Sequence, residues 1–172
     1  YIETGIFQKS KIDSRDLKYW SYENGLISNA EGLSFEGNNK TCWLLLHSYV
    51  ATPLEMKEIA EKINLELNQT VIVPILEGHS QVPSKLMNKN LSTWYNQANL
   101  EYNSMKESCE NINVLGSSLS SSIVLKLAEE NELNKIFILN SFIYLPYNPA
   151  RIFSLRSYIN VLTPFVHYNK KL

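Results

Sequence analysis

Residues 116–121 read G-S-S-L-S-S. They stand at the join between a short, mainly apolar run (112–115) and a stretch with helical spacing (119–130). The form G-x-S-x-S is one residue away from G-x-S-x-G, in which a serine sits on a strained turn from strand to helix. A serine so placed lies at a helix N-terminus, where free N–H groups and the helix dipole favour negative charge. The chemistry on offer is acyl transfer. An oxyanion formed during such a transfer would be stabilised by the backbone N–H groups there. Taken alone, a serine-rich helix start is an ordinary cap, so the elements around it must decide between the two readings.

Those elements alternate. CWLLLHS (42–48) is a continuous apolar run bounded by polar residues, which suits a buried strand. A helix follows, with Thr52 as cap, Pro53 at its first position, Glu55 three residues after the cap, and Leu54, Ile59, Ile63 and Leu67 at helical intervals. QTVIVPIL (69–76) is a second buried strand, ended by Gly78. A helix over 91–110 with Ser92 as cap, a strand over 111–117, a helix from Leu119 and a strand over 134–142 complete the run. Such alternation predicts a parallel sheet covered on both faces. The carboxyl ends of its strands share one edge, where ligands bind. Three polar turns should meet there: HSY (47–49), EGHS (77–80) and GSSLS (116–120). Ahead of these, LKYWSYENGLI (17–27) and AEGLSFEG (30–37) read as two earlier strands or as an extension laid over the sheet. After Phe142 three prolines and an amphipathic stretch over 152–162 replace the alternation.

Composition narrows the partners. A net charge of −1 gives no whole-chain argument for nucleic acid or an anionic membrane. No apolar run reaches the roughly 18 residues of a membrane span. Two cysteines without a C-x-x-C pair indicate no metal cluster. The sequons at Asn39, Asn68 and Asn90 are no more than the Asn, Ser and Thr content yields by chance. No phosphate-loop or dinucleotide fingerprint supports another parallel α/β protein with a serine-capped anion site.

In order and spacing, CWLLLHSYVATPLEMKEIAEKI, VIVPILEGHSQVP, STWYNQANLEYNSMKESCENINVLGSSLSSSIVLKLAEE and IFILNSFIYLP resemble one family. It is the N-terminal part of α/β-hydrolases of the carboxylesterase and monoacylglycerol-lipase type. Their pattern runs LLLHGF-x-G-x-P-x-E-M, then P-x-x-x-GHG, a T-W helix and GxSMGG. The resemblance implies an α/β-hydrolase-like, doubly wound, mostly parallel sheet with the start of a helical cap, incomplete within this chain. It divides the chain into an extension or early strand (1–30), the core (31–142) and the beginning of a cap or lid (143–172). It implies ester hydrolysis through an acyl-enzyme on Ser118, with the backbone N–H groups of Leu119 and Tyr49 as oxyanion donors. Gly116, His47 and Ser48 would support the turns. His47 would shape the oxyanion loop and His79 the next turn, neither acting as base. Neither a cofactor nor a metal is called for. The implied substrate is a small-molecule ester or an acyl lipid, which the apolar, aromatic segment 142–168 would suit.

The chain departs from the pattern. Serines 48, 80, 120 and 121 stand at family glycines. Glycine serves where φ is positive or backbones approach closely, so these serines bear on the oxyanion geometry. The family's acid and histidine, which follow the nucleophile, have no match. His167 alone among histidines follows Ser118, and it lies in the proline-interrupted segment. A sheet ending at the fourth of these strands would expose an apolar edge. A C-terminal remainder or a second chain is therefore expected to complete it. The alternative is a catalytically degenerate hydrolase fold used for binding or assembly. Cys42 and Cys109 lie near the beginnings of strands that the family places side by side. They form either a disulfide or two independently buried thiols.

Overall fold

A computed structural model describes residues 21–87 and 89–141 of the chain, all within one unit, Tyr1–Phe142. The first twenty residues and the expected cap segment 143–172, with His167, lie outside the described residues.

The described chain opens with a small antiparallel hairpin, β1 (Tyr22–Glu23) and β2 (Leu26–Ile27). It turns through Asn24 and Gly25, both at positive φ. A five-stranded sheet follows, built from β3 (Leu33–Phe35), β4 (Thr41–Leu46), β5 (Thr70–Val73), β6 (Asn111–Ser117) and β7 (Lys135–Leu139). Its order is β3-β5-β4-β6-β7. All neighbours are parallel except β3, which runs antiparallel to β5.

Helices cover both faces. Pro53–Met56 form a 3-10 turn leading into α1 (Lys57–Leu67). Met56 and Ala60 from this segment bury Trp43, Leu45, Val71, Val73 and Leu115 on one face. On the other face lie α3 (Leu91–Met105) and α4 (Ser120–Glu130), with the short α2 (Pro83–Leu86) beside them. Trp94, Ala98, Tyr102 and Met105 of α3 and Ile123, Val124 and Leu127 of α4 pack there on Cys42, Leu44, Leu46 and Val114. The alternation of inward residues along β4 thus feeds two cores, one above and one below the sheet.

Several local expectations shift. β5 stops before Pro74, which has no N–H for a ladder. The cap of α3 is Asn90 rather than Ser92: its side chain accepts from the Thr93 N–H at 3.0 Å. The helix ends at Met105, not near 110. Thr52 makes no side-chain cap bond, and the Glu55 carboxylate is engaged elsewhere. Cys42 and Cys109 are joined, Sγ to Sγ at 2.05 Å, and are not free thiols. The bond ties β4 to the segment entering β6.

Candidate active site

Ser118 is the first residue past β6 and two before α4. Its φ is +54°, the left-handed region that non-glycine residues adopt only when their surroundings hold them there. Its own N–H donates to the Leu139 carbonyl at 2.8 Å, which pins the turn to the end of β7. Gly116 is required by space: a Cβ there would lie 2.6 Å from the Ser120 carbonyl oxygen and 2.7 Å from Val124 Cγ2. Helix α4 therefore starts hard against β6. Among the described residues the Leu119 N–H has no hydrogen-bond acceptor.

The turn after β4 lies alongside. The Ser48 N–H donates to Glu55 Oε2 at 2.6 Å, and Ser48 Oγ contacts Glu55 Oε1 at 2.6 Å. Ser117 Oγ lies 2.9 Å from Ser48 Oγ and 3.2 Å from Glu55 Oε1. Two hydroxyl protons serve these three contacts, so one hydroxyl donates to the carboxylate and the other closes the triangle. Ser120 Oγ donates to the His47 carbonyl at 2.5 Å. The two turns are thus joined at both ends. The Tyr49 N–H, between Ser48 and Val50, has no acceptor among the described residues. Val50 follows at φ +64°, a strained value for a β-branched residue.

No protein-family model matches the chain. Over 106 residues it is 29% identical to a thermostable monoacylglycerol lipase of Bacillus sp. (strain H-257), covering 62% of this chain and 42% of that protein. In structure it is similar to the metagenome-derived lipolytic enzymes LipS and LipT, with a TM-score of 0.66 at 21% identity over 74% of this chain and 53% of that one. It is also similar to MenH from S. aureus, with a TM-score of 0.52 at 18% identity over 64% and 42%. The chain has an α/β-hydrolase fold, in part. It spans between 42% and 53% of the lengths of these relatives.

Within this hydrolase fold the serines at glycine sites behave differently from one another. Ser48, Ser120 and Ser121 do not stand at positive φ, and each hydroxyl has a partner; that of Ser121 donates to the Gly116 carbonyl at 3.2 Å. Ser80 does stand at positive φ, +54°, and its buried Oγ has no partner among the described residues.

Both described histidines are buried beneath these turns. His47 Nδ1 donates to the Ser48 carbonyl at 2.9 Å, and its Nε2 accepts the Leu76 N–H at 3.2 Å. That pair of contacts defines one neutral tautomer. Burial holds His47 below the ordinary histidine range, against the opposing pulls of the Ser48 carbonyl and Glu55. His79 Nδ1 donates to the Leu76 carbonyl at 3.0 Å, while its buried Nε2 has no partner among the described residues. Burial first, and then neighbouring His47, brings His79 down to about 3. Its ring packs edge-on to His47, Tyr49 and Trp94. Burial likewise pushes the Tyr49 phenol up to about 12. Neither imidazole is arranged to take a proton from Ser118 near neutral pH: one has both nitrogens on backbone groups, and the other is too weak a base.

Sequence reasoning missed two participants. The local pattern places Glu55 in a helix cap and Ser117 at a strand end, with no sign that they meet. The signal for Glu55 was its place in the P-x-E-M element of the family pattern, here PLEM. Among the described residues no group of three or more His, Cys, Asp or Glu could hold a metal ion, and no helix is long and apolar enough to cross a membrane.

Proposed function

We propose that this chain is the nucleophile-bearing part of a serine hydrolase, carboxylesterase- or lipase-like, that cleaves carboxylic esters. Ser118 Oγ attacks the ester carbonyl, and its proton passes to an imidazole base. The tetrahedral oxyanion accepts the N–H groups of Tyr49 and Leu119. Its collapse expels the alcohol and leaves an acyl-enzyme, which water then hydrolyses. The base and its orienting acid come from polypeptide beyond residue 172 or from a second chain. The same polypeptide completes the sheet beside β7.

The observation carrying this reading is the Ser118 turn itself. It has positive φ between β6 and α4, an amide one residue on with no acceptor among the described residues, and cross-links to the turn bearing the Tyr49 amide, likewise without one. Likeness to a monoacylglycerol lipase and to lipolytic enzymes supports an ester or acyl-lipid substrate. The test is labelling with a fluorophosphonate probe, applied to the protein together with whatever polypeptide completes it. Peptide mass analysis should place the adduct on Ser118, and Ser118→Ala should abolish it. An unlabelled wild-type protein would sink the proposal.

A second reading is favoured because neither described imidazole is arranged to serve as base: a hydrolase fold retained for binding, without turnover. It predicts no probe adduct but saturable binding of an acyl-glycerol ester, measured by calorimetry.

A further inference from the structure

We infer that Glu55 is a positioning residue that sets the oxyanion donors by clamping the two turns that carry them. This inference rests on the acyl-transfer reading above. The argument starts from the Ser48 backbone. Its N–H is held by Glu55 Oε2, and its carbonyl receives both His47 Nδ1 and the Ala51 N–H, the latter at 3.2 Å. Its hydroxyl contacts Glu55 Oε1 and Ser117 Oγ. Every polar atom of Ser48 is thereby engaged in holding the frame. The next amide along, that of Tyr49, is left unbonded among the described residues.

The same carboxylate reaches Ser117, the residue before Ser118. One side chain, carried on the 3-10 turn Pro53–Met56, therefore spans the turn bearing the Tyr49 N–H and the turn bearing the Leu119 N–H. Both turns contain a non-glycine residue at positive φ, Val50 and Ser118. Such residues persist only when neighbours over-determine them. The bonds that an N–H and a hydroxyl donate to a carboxylate are charge-assisted and directional. They also account for Ser48 at a family glycine. The hydroxyl that glycine lacks is the group that links Glu55 to Ser117. Donors must lie about 2.7–3.1 Å from the developing oxyanion, and a misplacement of about 1 Å can cost roughly 100-fold in rate. The clamp thus acts on the transition state and leaves ground-state binding alone.

The experiment is steady-state hydrolysis of a p-nitrophenyl ester by the completed protein, with affinity for a trifluoromethyl ketone as transition-state analogue. Glu55→Ala is expected to lower kcat about 10- to 100-fold with KM within about twofold, and to weaken the ketone in proportion to kcat/KM. Glu55→Gln keeps a carbonyl oxygen for the Ser48 N–H and should recover most of the loss. Ser117→Ala should lower kcat about threefold to tenfold. Circular dichroism melts show whether each variant is folded at the assay temperature. If Glu55→Ala does not fold, Glu55→Gln and Ser117→Ala carry the test, through the kcat loss and unchanged KM of Ser117→Ala. With an active wild type, unchanged kcat in folded Glu55→Ala or, where that variant does not fold, in Ser117→Ala overturns the inference. So does a KM that rises as kcat falls, or a ketone affinity that does not follow kcat/KM. An inactive wild type overturns the acyl-transfer reading first, and the role of Glu55 with it.

Discussion

Ser80 and His79 occupy neighbouring positions in the turn after β5, and each carries a buried polar atom without a partner among the described residues. Ser80 adds positive φ to that cost, where a side chain is disfavoured by roughly 1–2 kcal/mol. Ser80→Gly would remove both penalties while giving back some unfolded-chain entropy. It is expected to stabilise the fold by about 1 kcal/mol, seen as a higher urea midpoint at unchanged slope; a lower midpoint would contradict it. His79 makes a separate prediction. Its folded-state value of about 3 lies below the ordinary 6.5, so below pH 6.5 the unfolded chain binds a proton that the folded chain does not. Stability is therefore level above that pH and falls on acidification through the window down to about 3. The slope from this residue approaches about 1.4 kcal/mol per pH unit. Lowered His47 adds in the same direction. Denaturant melts at stepped pH check this, with His79→Phe flattening the profile.

At the scale of elements, the disulfide ties the amino ends of β4 and β6, and the helix contacts hold the opposite edge, where the turns meet. Cys42 and Cys109 are 67 residues apart in sequence, so their bond closes a loop containing α1, β5, α2 and α3. Closing so long a loop restricts the unfolded chain. Replacing both cysteines with serine should cost about 2–4 kcal/mol, measured by thermal or denaturant melts beside a mass comparison with and without reductant. Two free thiols in the native protein would contradict the bond. Helix α3 holds the exit of β5 with Gln97, which accepts the Glu77 N–H at 2.8 Å and donates to the Ile75 carbonyl at 2.6 Å, and with Trp94 Nε1, which donates to the Glu77 carbonyl. The turn containing His79 is thereby fixed against α3, as the Ser118 turn is fixed against β7.

Across the whole molecule, the two sides of the sheet are unequal. The β3 edge is short and antiparallel, whereas β7 leaves Ile136, Phe137 and Leu139 38–42% exposed. The Phe137 ring lies 5.0 Å from that of Trp43, so the apolar surface continues inward from the edge. A parallel edge with exposed apolar side chains is a template for association. The 172-residue chain on its own should self-associate, and Phe137→Lys with Leu139→Lys should reduce this. Light scattering across a concentration series decides it, and a monodisperse wild-type monomer would remove the argument for a covering polypeptide.

Periodicity and turn chemistry act over a few residues. For that reason the sequence by itself determined the alternation of strands and helices, the bounds of β6 at 111–117, and Ser118 as the serine at the strand-to-helix join. Those signals could not say which glycine site tolerates a serine, because backbone dihedrals at a turn depend on what packs against it. Only the tertiary structure separated strained Ser80 from well-bonded Ser48, Ser120 and Ser121, paired Cys42 with Cys109, and moved Glu55 from a helix cap to the Ser48 and Ser117 hydroxyls. The bonds from Ser117 to Glu55, from Ser48 to Ser117 and from Ser120 to His47 span 62, 69 and 73 residues. No local propensity encodes such contacts, and they exist because parallel strands deliver distant turns to one edge of the sheet.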